Sequence, residues 1–236
     1  SPHTIFKNTF KLEPGSYLEY DIKKKDYGIT KYWDVSKYYQ VKKIEKNENE
    51  ILDDLENLLI DAVNLRMVSD VPVGVFLSGG YDSSLVTALL SENKIGKLNT
   101  FTIGFDDKKF NESEHAAQIA KYFKTNHTEY HITQRDMLSK VDSLPFFFDE
   151  PFGDSSAIPT ILVSELAKKD VTVALSGDGG DETFCGYSKY IFLNKFSSIF
   201  ENKFKNSILK KMLNILNENQ IESINYLLPK KMHQTN

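Results

Sequence analysis

The sequence predicts an α/β fold, a doubly wound parallel sheet with helices on both faces. From residue 51 onward, short apolar runs that resemble buried strands alternate with segments of helical periodicity. Crossover helices cover both faces of such a sheet. Glycine-rich segments follow two of the strands, at 78–83 and 176–182. Since ligands bind beyond the carboxyl ends of parallel strands, these two segments form the candidate site.

The alternation predicts the elements in a regular order. Apolar residues from Ile51 to Leu65 recur at helical spacing and predict an amphipathic first helix. After it we expect a strand at 73–77, a helix beginning near Asp82, a strand at 99–105, a helix at 112–123, a strand at 127–132, a helix ending at Pro145, a helix at 156–169 and a strand at 171–177.

Composition shifts divide the chain into three parts. Residues 1–50 hold β-type runs at 15–22 and 31–35 and a lysine-rich connector. Residues 51–190 form the α/β domain. Residues 191–236 are predicted to be helical and are rich in lysine and asparagine.

Charge and composition exclude several classes of protein. The 236 residues carry a net charge of -4, and Arg66 and Arg135 are the only arginines, which argues against a nucleic-acid partner. A single cysteine, Cys185, rules out an internal disulfide and a cysteine-based zinc cluster. No apolar run approaches membrane-spanning length and no signal-peptide pattern begins the chain, so we expect a cytoplasmic protein without a membrane partner. The oligomeric state is left open.

The first loop, LSGGYDSS (77–84), has the chemistry of a phosphate site. A helix that begins near Asp82 presents free main-chain N–H groups, which attract anions together with the helix dipole. Gly79 and Gly80 allow close approach, Ser78 and Ser83 add hydroxyl donors, and Asp82 is suited to a divalent cation. The spacing fits neither a Walker A loop nor a dinucleotide fingerprint. An ordinary strand-to-helix turn with a serine or aspartate cap is the alternative.

The second loop, LSGDGGDETFCGY (175–187), repeats this design with Asp178, Asp181 and Glu182. Clustered carboxylates at a strand end are costly without a cationic partner. If the two loops face each other, Asp82 and Asp181 share one Mg²⁺ that bridges phosphate oxygens. A solvated acidic turn is the alternative.

Between the loops lies DEPFGDSSAIPT (149–160). Asp149, Glu150 and Asp154 line a substrate pocket in one interpretation. In the other they belong to a turn with a helix cap at Ser155 or Ser156, and the sequence favours neither.

Four segments, SDVPVGVFLSGGYDSSLV, TFTIGFDDKKFNESEHAAQIAK, DEPFGDSSAIPT and ALSGDGGDETFCGYSKY, occur in this order. They closely resemble the synthetase domain of glutamine-hydrolysing asparagine synthetases, which belong to the N-type ATP pyrophosphatase (PP-loop) superfamily. The resemblance is strong over residues 50–190. The head of the chain resembles the segment that joins the glutaminase and synthetase domains, so its β-type runs are expected to be the remainder of a glutaminase domain.

The resemblance implies an ATP site. In the family the SGGxDS loop grips the β- and γ-phosphates, and its residues correspond here to Ser78, Gly79, Gly80, Asp82 and Ser83. The apolar positions that flank the adenine correspond to Leu77 and Ile103. The pair near the ribose and α-phosphate corresponds to Ser176 and Gly177.

The resemblance also implies the metal and catalytic residues. Asp82 and Asp181 match the Mg²⁺ carboxylates, and Asp178 matches an acidic residue near the acyl-adenylate, so Asp178 and Asp181 are the expected catalytic residues. The family reaction converts aspartate and ATP to β-aspartyl-AMP and pyrophosphate, after which ammonia displaces AMP and forms asparagine. The expected cofactors are ATP and Mg²⁺, and the expected partners are aspartate or another carboxylate, ammonia and, in the full-length protein, a glutaminase domain.

Three departures from the family pattern qualify this reading. The chain begins SPHTIF without a glutaminase domain, and the family's later basic residues lie beyond its end, so we expect a truncated C-terminal part and reduced or absent activity of the chain alone. Lys189 matches no catalytic position. Tyr81 is expected to lie in or over the phosphate loop, and Cys185 to be a buried small residue. A nucleotide-binding module without turnover is the main alternative, and an RNA-modifying PP-loop enzyme is disfavoured by the charge.

Overall fold

The computed structural model describes residues 2–92, 97–107, 111–151 and 153–191. The chain forms two compact units. The first consists of Ser1–Leu58 and Asp142–Phe152, and the second of Leu59–Val141 and Gly153–Asn236, which is described as far as Ile191. The predicted helical part at 191–236 therefore lies, beyond its first residue, outside the described residues. The predicted domain boundaries at 50 and 190 stay predictions.

The first unit contains an antiparallel hairpin. Strand β1 (Ser16–Asp21) pairs with β2 (Asp26–Lys31), with Ser16 opposite Lys31 and Asp21 opposite Asp26. The predicted β-type run at 15–22 is thus confirmed.

The β-type run predicted at 31–35 is wrong beyond Lys31. The N–H groups of Tyr32 and Trp33 both donate to the carbonyl of Gly15, at 2.8 and 3.1 Å, and the strand pairing ends there. Gly15 allows this closure because its φ is +72° and a Cβ would overlap the Trp33 carbonyl. A short helix, α1 (Ser36–Tyr39), follows.

Helix α2 (Glu48–Met67) begins three residues before the predicted Ile51. Asn47 and Glu50 explain the earlier start, because each side chain accepts a hydrogen bond from the main-chain N–H of the other, at 3.0 and 3.1 Å. This reciprocal pairing satisfies two N–H groups at the beginning of the helix.

The remaining elements follow the predicted alternation. In chain order they are β3 (Val73–Phe76), α3 (Tyr81–Glu92), β4 (Asn99–Phe105), α4 (Ser113–Phe123), β5 (Asn126–Ile132), α5 (Gln134–Lys140), a 3-10 turn (Val141–Ser143), α6 (Leu144–Phe147), α7 (Ala157–Ala167), β6 (Val173–Leu175) and α8 (Gly180–Phe184). The helix predicted to end at Pro145 ends at Lys140, and Pro145 instead lies in the first turn of α6, where its missing N–H costs nothing.

Four described strands form a parallel sheet in the order β5-β4-β3-β6, which confirms the predicted sheet. Gly74 pairs with Asn99 on one side of β3, and Val73 pairs with Val173 on the other. The chain therefore moves outward from β3 through β4 to β5 and returns to the opposite side of β3 with β6. The ends of β3 and β6 consequently lie at a topological switch point, where open α/β sheets bind their ligands.

Helices cover both faces of this sheet, as predicted. On one face Val75 packs with Val63 of α2 and with Leu89 and Leu90 of α3. On the other, Phe101 packs with α7 and is 1% exposed. Burial of such a side chain contributes about 1.5–3 kcal/mol. In the described part of the chain, no helix has both the length and the apolarity needed to cross a bilayer.

Candidate functional site

The loop between β3 and α3 is held in one shape by its own serines. Ser83 is 5% exposed, and its hydroxyl accepts a hydrogen bond from the Ser78 N–H at 3.2 Å and lies 2.9 Å from the Ser78 hydroxyl. The Ser78 hydroxyl accepts in turn from the Gly80 N–H at 3.2 Å. The first-turn N–H groups of α3 have no acceptor within the helix, so this fixed loop presents them for an anion.

Gly79 fits where no other residue would. Its φ is +87°, and a Cβ there would come within 2.8 Å of the Ala116 N and 2.9 Å of the His115 Cβ. The loop thus lies directly on the beginning of α4, a contact that sequence spacing did not indicate. Glycine is required here for both its conformation and its size.

The loop after β6 is organised by Ser176 and Asp178. The Ser176 hydroxyl donates to the Asp178 carboxylate at 3.0 Å, and the Asp178 N–H donates back to that hydroxyl at 3.4 Å. Gly179, with φ +92°, precedes α8 and accepts from the Thr183 N–H at 3.1 Å. Asp178 is exposed and therefore accessible to a substrate.

The two loops meet at Asp82. A Cβ on Gly177 would come within 2.8 Å of the Ser83 N and 3.0 Å of the Asp82 Cβ, and a Cβ on Gly180 would overlap the Asp82 carboxylate. Asp82 therefore lies against the main chain of the second loop at two of its glycines. In the described part of the chain no donor hydrogen-bonds its carboxylate. A half-buried carboxylate without a donor is suited to a cation.

Mg²⁺ fits this donor set as a partial site. Within the described residues, no group of three or more histidine, cysteine, aspartate or glutamate side chains is placed to hold a metal. Mg²⁺ in nucleotide sites commonly uses one or two carboxylates and completes its shell with phosphates and water. Asp82 lies against Gly180 and Asp181 directly follows that glycine in the chain, so these two residues are the candidates for such carboxylates. Their assignment as Mg²⁺ residues stays a prediction.

Leu77 and Ile103 lie on opposite faces of the sheet. Leu77 is 1% exposed and packs on Ala116 and Ala120 of α4, whereas Ile103 packs with the α7 cluster. The Leu77 N–H donates to the Phe101 carbonyl at 2.9 Å, and the Leu77 carbonyl accepts from the Thr102 hydroxyl. The two side chains therefore do not form one apolar slot, and their predicted place beside an adenine stays a prediction.

The acidic segment between the loops is used in internal contacts. Glu150, in the first unit, pairs with Lys11 and accepts from the Ile5 N–H at 3.3 Å, and the hydrogen bond with Lys11 foremost lowers the pKa of Glu150. Asp154 accepts from the Ser156 N–H at 2.8 Å, which lowers the pKa of Asp154 and leads the chain into α7. For Asp154 these contacts favour the turn interpretation. For Glu150 they indicate a side chain that connects two segments of the first unit.

Tyr81 and Cys185 differ from their expected placement. The Tyr81 side chain is 96% exposed, so it does not cover the phosphate loop. The expectation of a buried Cys185 is wrong, because this residue is exposed and ends α8 in the left-handed conformation with φ 59°.

Gly180 and the turn at Gly186 were not singled out from the sequence. A Cβ on Gly186 would overlap the Asp181 carboxylate, and the Gly186 N–H donates to the Asp181 carbonyl at 3.0 Å. The paired glycines of GDGGD were the available signal for Gly180. Its contact with Asp82 depends on the β3–β6 pairing, which local spacing does not encode.

The asparagine synthase family model matches residues 54–233. This match covers most of the chain. The chain belongs to the asparagine synthase family. The resemblance carried by the four motifs is thereby confirmed.

Individual relatives agree with this membership. The chain is 44% identical over 192 residues to a putative glutamine-hydrolysing asparagine synthetase of Methanocaldococcus jannaschii, a match that covers 81% of this chain and 36% of that protein. It is 35% identical over 191 residues to glutamine-hydrolysing asparagine synthetase 1 of Bacillus subtilis, covering 80% and 29%. The chain thus spans about a third of the length of the curated relatives it matches.

Among solved structures, a glutamine-dependent NAD⁺ synthetase from Acinetobacter baumannii in complex with ADP matches with a TM-score of 0.40 and 23% identity. That match covers 72% of this chain and 31% of the other. A likeness at this level has no bearing on function.

Proposed function

We propose that this chain is the ATP-binding synthetase part of an amide-forming, AMP-releasing ligase of the asparagine synthetase type. The observation that carries the proposal is the position of Asp82, whose carboxylate, without a hydrogen-bond donor among the described residues, lies where the loop after β3 meets the loop after β6. Membership in the asparagine synthase family supports the same reading.

In this proposal the two loops divide the nucleotide between them. Ser78, Gly79, Gly80 and Ser83 bind the β- and γ-phosphates, which would replace hydrogen bonds that the Ser78 and Gly80 N–H groups make within the loop. Ser176 and Gly177 lie beside the ribose and α-phosphate, where the missing Cβ of Gly177 leaves the main chain of the second loop close to the first. Mg²⁺, held by Asp82 and Asp181, would neutralise charge on the phosphates as pyrophosphate leaves.

In this reaction the protein mainly aligns the reactants and stabilises developing charge, and it forms no covalent bond with the substrate. An oxygen of the substrate side-chain carboxylate attacks the α-phosphorus, and the bond from that phosphorus to the bridging oxygen breaks, with its electron pair leaving on pyrophosphate. Ammonia then attacks the acyl carbon, the bond to the AMP oxygen breaks, and a proton passes to solvent. Asp178, exposed beside Ser176, is the residue placed to orient the acyl group or the incoming ammonia.

Aspartate is the proposed carboxylate, and asparagine the product. The proposal includes a glutaminase domain as the source of ammonia in the full-length protein and a cytoplasmic location. The geometry of the two loops supports the nucleotide half of the reaction.

Calorimetric titration with Mg²⁺ and an ATP analogue that cannot be cleaved between the α- and β-phosphates tests the nucleotide half. We expect micromolar affinity, about -8 kcal/mol, that is lost in Asp82→Ala. Asp70→Ala, which removes an exposed carboxylate outside both loops, is the matched control and should bind like the wild type. If Asp82→Ala binds as tightly as Asp70→Ala, the site is not where the loops meet.

Release of labelled AMP with pyrophosphate tests the acyl half. Release that depends on aspartate supports the proposal, and release with a different acid redirects the substrate. Tight binding of ATP without release under any acid would instead identify a nucleotide-binding module without turnover.

A further inference from the structure

The chain after α8 folds back onto the first turn of that helix. Cys185 ends the helix in the left-handed conformation, and Gly186 closes the turn by donating its N–H to the Asp181 carbonyl at 3.0 Å. The missing Cβ of Gly186 leaves room for the Asp181 carboxylate. Tyr187 then donates its hydroxyl to Glu182 at 2.6 Å. The segment 187–190 is therefore anchored beside two of the carboxylates of the candidate site.

Lys189 in this segment is held by aromatic rings. Its ammonium nitrogen lies 4.2 Å from the centroid of the Tyr187 ring and 5.4 Å from that of Tyr190. The two rings are 5.9 Å apart and tilted by 41° to each other. Attraction between a cation and an aromatic face fixes the ammonium without using its N–H donors. Among the described residues no carboxylate forms an ion pair with Lys189, so those donors remain available to an anion.

The charge of the two loops requires such a cation. Segments 73–83 and 175–191 contain Asp82, Asp178, Asp181 and Glu182, and Lys189 is their one basic residue. A polyphosphate placed among four carboxylates is repelled unless cations offset the charge. One divalent metal ion supplies part of that charge, and Lys189, whose charge acts on the nearby Glu182 carboxylate, is placed to supply more.

We propose that Lys189 binds the phosphate chain of the nucleotide, and that Tyr187 and Tyr190 hold its ammonium group in position for that contact. This inference rests on the proposed ATP site and adds a residue to it. Tyr187 has two tasks in this arrangement, since its ring faces Lys189 while its hydroxyl binds Glu182. We assign Lys189 to the β- and γ-phosphates, since it follows Asp181 in the same segment and Asp181 is the residue proposed for the metal, so the contact is expected with polyphosphate and not with AMP.

Calorimetry on the whole chain with Mg²⁺ tests the proposal, with the uncleavable ATP analogue and AMP as separate probes. Lys189→Gln should weaken binding of the ATP analogue by about 10- to 100-fold, the loss typical of one charge-assisted contact. Binding of AMP should change by less than about twofold. Lys189→Arg, which keeps the cation, should recover most of the loss. Lys97→Gln is the matched control. It removes an exposed lysine just before β4, at the amino end of that strand and therefore away from the two loops.

The outcomes separate this inference from the proposed function. If the wild type binds the ATP analogue but Lys189→Gln binds it as tightly as Lys97→Gln, the role of Lys189 is overturned and the ATP site stands. An equal loss of AMP binding in Lys189→Gln would also overturn it, because it would indicate a structural effect. If the wild type binds neither probe, the ATP site and the role of Lys189 are both overturned.

Discussion

The carboxylate of Asp82 lies against the main chain of Gly180, so two loops that are distant in sequence share one contact. The contact exists because β6 pairs with β3 and brings both strand ends to the same edge of the sheet. Neither loop alone forms the site. Substitutions at this junction therefore test the proposed nucleotide site directly.

Gly180→Ala should abolish binding of the ATP analogue. A Cβ at this position overlaps the Asp82 carboxylate, while the main chain of Gly177 lies close to the Asp82 Cβ and limits how far the residue can move. Displacing this carboxylate removes the main metal-binding oxygen that we assign. Calorimetry with Mg²⁺ checks the result.

Gly28→Ala provides the control for this substitution. A Cβ on Gly28, in β2, meets nothing within 4 Å, so the variant should keep the affinity of the wild type. Unchanged ATP affinity in Gly180→Ala, with its fold intact by circular dichroism, would contradict the assignment of Asp82.

Ser83→Ala should lower both stability and ATP affinity. The nearly buried hydroxyl of Ser83 accepts from the Ser78 N–H and donates to the Gly80 carbonyl at 3.3 Å. Removing it leaves a partly buried N–H without its acceptor, which costs about 1–3 kcal/mol of unfolding free energy. Urea denaturation measures this loss. Ser139→Ala, which deletes an exposed hydroxyl on α5, should change stability by less than about 0.5 kcal/mol.

The hydrogen bond between Tyr187 and Glu182 should be visible by titration. It raises the pKa of Tyr187 to about 12 and lowers the pKa of Glu182. On the basic side, the stabilisation is complete below the ordinary tyrosine pKa of 10 and is lost as the pH rises towards about 12. On the acidic side, it is present above the ordinary glutamate pKa and is lost as the pH falls through the lowered one.

The difference in phenolate absorbance between wild type and Tyr187→Phe isolates this tyrosine from the other eleven. We expect its midpoint at about 12. The same difference titration on Glu182→Gln should return the midpoint towards 10, since the carboxylate is the main cause of the shift. A Tyr187 midpoint near 10 in the wild type would exclude the hydrogen bond in solution.

Local pattern predicted the fold because each strand and helix has its own periodicity. The strands predicted at 73–77 and 99–105 match β3 and β4 within one residue, because short apolar stretches bounded by turn residues usually form buried strands. The run at 171–177 shortened to β6, since it lies at the edge of the described sheet and pairs only with three residues of β3. The loops were identified because their glycines and serines are local signals.

The relations between loops and faces could not be predicted in the same way. Sequence alone places Leu77 and Ile103 at two strand ends, but the face on which each side chain lies depends on register and on which helix packs there. Likewise, the contact of Gly79 with α4 depends on packing between elements. Residues with such contacts are found only when the strand order is known. The turn of Gly186 onto Asp181, by contrast, is local, since it closes the end of α8 over five residues.

Leu77→Ala distinguishes a role in packing against α4 from the predicted contact of Leu77 with the adenine. Its side chain is 1% exposed and packs on Ala116 and Ala120, which are too small to fill the space that a truncation leaves. We therefore expect a loss of about 2–5 kcal/mol in unfolding free energy, measured by urea denaturation. At a temperature where the variant stays folded, a purely structural role would leave its affinity for the ATP analogue within about twofold of the wild type, whereas the predicted contact with the adenine would weaken it further. Ile103→Ala, on the opposite face, is the comparison, since this variant should also lose stability, but through the α7 cluster.

A Leu77→Ala variant of normal stability that binds the ATP analogue weakly, while Ile103→Ala binds it normally, would contradict the structural role. It would show that the Leu77 side chain contacts the adenine and that the loop moves when ATP binds.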